Sequence, residues 1–106
     1  MEGRVDGHDR ALSLLGLARR AGLLLIGQDD VLGEPKQRLF IVRTEDCSPS
    51  VLRKVERKLA GSGSVCFVIK GVSRERLGRS IGVNSAQIAA LPIESGFAKN
   101  LSELLQ

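Results

Sequence analysis

ALSLLGLARRAGLLLIG, residues 11–27, holds a helix, a stop, a strand and the opening of another element. Ala11, Leu14, Leu15, Ala18 and Ala21 recur at spacings of three and four, one face of an α-helix. Gly16 lies on or beside that face. A glycine inside a helix costs about 1 kcal/mol relative to alanine, so a close backbone approach is expected there. Gly22 falls where a helix-ending glycine belongs, and Arg19 and Arg20 occupy the last turn, where cations suit the helix dipole. Residues 23–26 (LLLI) have no polar face and predict a strand covered on both sides. Gly27 then starts a further element. A helix folding back on a buried strand predicts a layered α/β fold.

The rest of the chain repeats the alternation. Residues 1–8 (MEGRVDGH) lack periodicity and are expected to be a flexible tail, with His8 inert and Asp9 the N-cap of the first helix. The helix after Gly27 carries Asp29 and Asp30 at its positive end and must be short, because Gly33 and Pro35 stop it. Residues 39–42 predict the second strand, and 44–47 the loop leaving it. Ser48 and Pro49 are an N-cap and an N1 proline. The helix they open buries Val51, Leu52, Val55 and Leu59 and turns Arg53, Lys54, Arg57 and Lys58 outward; that basic face suits either plain solvent or phosphate. After a Gly-Ser-Gly turn, residues 64–70 predict a third strand. Ser73 caps a helix with Leu77 and Ile81 that ends at Gly82. Residues 86–93 predict a fourth strand, and Ser95 caps a last helix with Phe97, Leu101, Leu104 and Leu105 on its apolar side. Alternating elements with short connections predict one domain over 9–106, a central sheet with helices on both faces.

Composition narrows the function. The net charge is +4 and the pI about 9.6, a sign that fits a polyanionic partner. With three Phe and no Trp or Tyr, the chain lacks the exposed rings on which many single-strand binders stack bases. Cys47 and Cys66 form no CxxC pattern, which is simplest in a reduced, cytoplasmic chain. No signal peptide or membrane-length apolar run is evident. One His, no metal-ligand spacing and no phosphate-loop lysine leave no catalytic residues, no metal and no cofactor to expect. Binding is the better class.

Four segments, LGLARRAGLLLIG (15–27), LFIVRTEDCSP (39–49), SRERLGRSIG (73–82) and GFAKNL (96–101), resemble the kink-turn-binding ribosomal protein family, large-subunit proteins seven-Ae and thirty-e, in its bacterial YlxQ-like branch. The resemblance implies a three-layer α-β-α sandwich with a four-stranded mixed sheet. It implies a partner, structured RNA, ribosomal or otherwise folded, with ribosomal proteins as further candidate partners and no DNA and no membrane expected. In the family, the second helix opens with Gly, a variable residue, Asn and Glu, with Lys three residues further on. These groups read tandem sheared G·A pairs. Here Gly27 and Gln28 match the first two positions, Asp29 stands for Asn, Asp30 for Glu, and Gly33 for Lys. The loop before the last strand maps to Val83, Asn84 and Ser85, and the loop after the second strand to Ser48. Lys36, Arg38 and the basic helices could add phosphate contacts. The two departures remove an amide donor and a cation and predict weakened kink-turn reading. The alternative is a protein-interaction module on the same fold that has lost RNA binding.

Overall fold

The computed structural model describes residues 7–33 and 37–106. The elements run α1 (Gly7–Arg20), β1 (Leu25–Ile26), α2 (Gly27–Leu32), β2 (Leu39–Thr44), α3 (Pro49–Leu59), β3 (Val65–Ile69), α4 (Arg74–Ile81), β4 (Ile88–Pro92) and α5 (Gly96–Leu105). The expected alternation is therefore present. The four strands form one mixed sheet in the order β1-β4-β2-β3. β2 pairs parallel with β3, Ile41 opposite Cys66, and antiparallel with β4, Ile41 opposite Ala90; β1 joins β4 antiparallel.

Strand alternation builds two cores. Phe40, Val42, Ala89 and Leu91 point into the layer of α1, α4 and α5, with Ala11, Leu15, Ala18, Leu77, Ile81 and Leu101. Leu39, Ile41, Ile88 and Ala90 point the other way, onto Val31 of α2 and Val51 and Val55 of α3. Both sheet faces are covered, which is why β2 and β4 read as unbroken apolar runs. The three-layer sandwich expected from the resemblance is the observed architecture.

The termini of the helices follow local chemistry. Gly22 takes φ 76°, its N–H donates to the Arg19 carbonyl at 2.9 Å, and Leu23 N–H donates to that of Ala18 at 3.0 Å. That pair of bonds closes α1 and turns the chain into β1. Ser48, Ser73 and Ser95 each accept from the amide three residues on, capping α3, α4 and α5 as expected. Gly16 is also where the sequence put it: a Cβ there would stand 2.8 Å from the Ser80 carbonyl oxygen, so α1 and α4 touch backbone to backbone.

Several expectations need correction. α1 already runs at Gly7, so Asp9 lies in its first turn rather than at the cap, and it pairs with Arg76 of α4. Residues 7 and 8 of the tail expected over 1–8 are thus helical, and residues 1–6 lie outside the described ones. Ala21 is exposed, because Gly22 has already unwound the helix; Leu12 is buried in its stead. β1 is shorter than 23–26 and only partly covered, with Leu25 packed on one core and Ile26 on the other. It lies at the sheet edge, both its residues are half-buried, and Leu23 before it is 37% exposed. Leu14, Leu52, Leu59 and Phe97 are half-buried at the margins of the cores. β2 extends to Thr44 because Thr44 still pairs with Ile69, while β4 is trimmed to Ile88–Pro92.

Candidate functional site

At one end of the sandwich the start of α2, the loop after β2 and the loop before β4 come together. The chain enters α2 through Gly27 at φ 84°, a conformation that side chains resist, and no side chain caps the helix start at Ile26. Gln28 projects from the first turn and accepts at Oε1 from Lys54 Nζ of α3 at 3.3 Å. Gly27, Gln28, Val51, Arg74, Ser85 and Gln87 line a groove of about 210 Å³.

Gln87 ties two loops to each other. Its Oε1 accepts from the Ser48 N–H at 2.6 Å, and its carbonyl accepts from the Thr44 N–H at 3.0 Å. Ser48 Oγ meanwhile accepts from Val51 N–H at 3.3 Å, so one residue caps α3 and fixes the groove wall. Arg74, first residue of α4, holds the other wall. Its guanidinium donates through Nε and Nη2 to the Asp46 carbonyl at 3.1 and 2.8 Å, its amide donates to Asp46 Oδ2 at 3.3 Å, and its carbonyl accepts from Ala86 N–H at 3.1 Å. The Asp46 carboxyl is held below its ordinary 3.8. The Thr44 hydroxyl is the largest lowering influence although it falls short of full hydrogen-bond geometry, and desolvation opposes it; the Arg74 amide and guanidinium are the contacts that geometry supports. The loop before β4 lies on glycine: a Cβ at Gly78 would meet Ser85 Cα at 2.5 Å, and Val83 N–H donates to the Gly78 carbonyl at 2.8 Å.

Of the residues expected at the site, Gly27, Gln28 and Ser85 line the groove, and Ser48 joins through Gln87. Asp29 and Asp30 are exposed on the first turn of α2. Asn84 is exposed and Val83 half-buried on the same loop as Ser85. Arg38 is not brought to this end. It precedes Leu39, which pairs with Pro92 at the opposite end of the sheet, and its guanidinium donates to Glu94 Oε1 at 3.2 Å. Lys36 lies outside the described residues. Gly33 ends α2 with φ −83°, an ordinary helical value, yet a Cβ there would stand 2.6 Å from the Asp29 carbonyl oxygen. Arg74 and Gln87 were not foreseen as site residues. Arg74 had one signal, its place directly after the Ser73 cap; Gln87 had none, because its partner is thirty-nine positions away.

Among the described residues no group of three or more His, Cys, Asp or Glu could hold a metal ion, and no helix is long and apolar enough to cross a membrane. The groove carries amides, hydroxyls and a guanidinium, the equipment of a polar binding surface.

No protein-family profile matches the sequence. The chain is 37% identical over 94 residues to the RNA-binding protein YlxQ of Bacillus subtilis, covering 87% of this chain and 91% of that one. It is 28% identical over 103 residues to the RNA-binding protein YlxQ of Enterococcus faecium, covering 93% and 94%. Among solved structures, a Bacillus halodurans protein of unknown function superposes with a TM-score of 0.75 at 31% identity, over 91% of this chain and 96% of that one. A Giardia lamblia 15.5kD RNA-binding protein shares the fold, with a TM-score of 0.73 at 14% identity over 96% and 88%.

Proposed function

Since the chain belongs to the family of the bacterial YlxQ RNA-binding proteins, we propose that it binds structured RNA, without catalysing a reaction, at the end where α2 meets the loops of Ser48 and Ser85. The observation that carries this reading is convergence: three segments distant in sequence, each implicated by the family resemblance, line or brace one polar groove. Gly27 lets backbone approach a ligand closely, Gln28 and Ser85 offer hydrogen-bonding groups, and Lys54 and Arg74 bring positive charge. The outward basic face of α3, with Arg53, Lys54 and Arg57 all exposed, continues from the groove and suits the phosphates flanking it.

The reading of a kink-turn is weakened in this account. Asp29 can accept from a guanine amino group but cannot donate, and Gly33 supplies no cation. Backbone and phosphate contacts then carry most of the affinity. We place the chain in the cytoplasm, with ribosomal RNA or another folded RNA of translation as partner. The exposed carboxylates of Asp29 and Asp30 favour one competing reading, a protein-interaction module on the same fold.

The test is a titration with a kink-turn RNA and with the same RNA in which the G·A pairs are made Watson–Crick. Binding should fall steeply from about 50 to about 200 mM salt, and the kinked RNA should be preferred. Equal affinity for both would remove the kink-turn part of the proposal. Absence of RNA binding at low salt would select the protein-interaction reading.

A further inference from the structure

The outer seam between α1 and α4 holds two adjoining hollows, of about 560 and 340 Å³, that share Gly16, Arg20 and Ser80. It is set by the Gly16 contact, where a Cβ would stand 2.8 Å from the Ser80 carbonyl oxygen. Four arginines line it: Arg19 and Arg20 from the last turn of α1, Arg76 and Arg79 from α4. Asp9 is the one carboxylate on the lining.

Two of these arginines have structural work. Arg19 donates to the Ile81 carbonyl, and Arg76 pairs with Asp9. Arg20 and Arg79 are exposed, and among the described residues neither guanidinium has a hydrogen bond or an ion pair. Position at a helix C-terminus accounts for a cation near each dipole. It does not account for both helices turning their arginines onto one seam, where a surplus of three positive charges collects in a chain of net charge +4.

We propose that this seam is a second RNA contact, a cradle for the sugar–phosphate backbone of a duplex arm, on the α1 and α4 side of the sheet and separate from the α2 end. It rests on RNA being the partner, as proposed above. Guanidinium groups match phosphate oxygens as a planar fork, and the exposed Ser13 hydroxyl on the seam can donate to a third oxygen. Protein partners are less suited, because interface centres are rich in aromatic side chains, the lining has none, and its exposed apolar anchor is Leu17 alone.

The experiment compares the full chain with Arg20→Gln/Arg79→Gln and Arg20→Glu/Arg79→Glu, using two probes: a plain RNA duplex, and a minimal kink-turn with short arms. Both side chains are exposed, so circular dichroism and the thermal midpoint should be unchanged in the Gln variant. Plain-duplex affinity should fall about tenfold, and the slope of log K against log salt should shrink by about two, one unit per lost phosphate contact. The Glu variant should weaken it further, while minimal kink-turn binding changes little. If the plain duplex binds both variants as it binds wild type, the seam is not an RNA contact. If wild type does not bind the plain duplex at all, the proposal also fails, whatever the kink-turn RNA does. Retained duplex binding with no kink-turn preference would count against the α2 end and leave the seam standing.

Discussion

Gly78 shows how much of the site depends on one missing atom. Its Cβ would overlap Ser85 Cα at 2.5 Å and Ser85 N at 2.7 Å, and both are backbone, so neither can swing aside. Gly78→Ala should therefore push the Ser85 loop off α4. Overpacking of this kind costs about 1–3 kcal/mol, and each kcal/mol lowers the melting point of a domain this size by roughly 4–8 °C. Thermal denaturation reads the loss. RNA titration should show weaker binding as well, and a variant with wild-type Tm would mean that the loop has another resting place. Cys66 gives a second prediction. Burial among the residues packed on α2 and α3 pushes its thiol up to about 11 from the ordinary 9.0, with Arg43 opposing. The folded state thus holds its proton where the unfolded chain has released it. The stabilisation is complete below pH 9 and is lost as the pH rises from about 9 to about 11, a loss of about 3 kcal/mol in all. Urea denaturation at pH 8 and pH 10.5 should show this loss in wild type, and Cys66→Ala should remove that part of it.

Among the elements, α2 is the shortest helix and the one on which the RNA reading turns. Asp29→Asn should tighten kink-turn binding, because a regained base-edge contact contributes about 1–3 kcal/mol. Adding Gly33→Lys supplies the missing cation. The φ of −83° presents no obstacle, but the new Cβ lies 2.6 Å from the Asp29 carbonyl oxygen, so the last turn of α2 must open slightly. The double variant should bind at least as well as Asp29→Asn and melt a little lower. If it keeps its fold and binds no tighter than wild type, α2 does not face the RNA. Ser48 belongs to this scale too, because it serves α3 and the groove together. Ser48→Ala removes the cap from Val51 N–H and should cost about 1 kcal/mol, while the Ser48 N–H bond to Gln87 survives. Denaturation should detect it; affinity for RNA should move little. The helix stops and caps were legible because each is written within a few residues: Ser48 with Pro49, Ser73, Ser95, Gly22. The position of Arg38 at the far end of the sheet was not legible for the complementary reason. Which end of a strand faces a loop cluster depends on pairing with β4, and nothing near Arg38 encodes that.

Across the whole molecule, the layer order was legible because β2 and β4 are apolar on both faces and helices alternate with strands. The strand order was not, since β1-β4-β2-β3 places the first strand beside the last. The groove inherits that difficulty. Gly27 comes directly after β1, while Ser85, Ala86 and Gln87 lead into β4, so its walls were recognised separately and joined only by the fold.

The pairing of β1 with β4 has a consequence for the order in which the protein is made. Leu25 and Ile26 are synthesised more than sixty residues ahead of their strand partners, Ala90 and Ala89. Until these are made, β1 and α2 lack β4, on which both pack, and β2 lacks the antiparallel neighbour that covers one side of it. A growing chain therefore has no complete groove before residue 92, and RNA cannot guide its earlier folding. Stalled chains ending before β4 should be cut readily by protease and should not be protected by added kink-turn RNA. Chains extended past α5 should resist, and RNA should then slow digestion further.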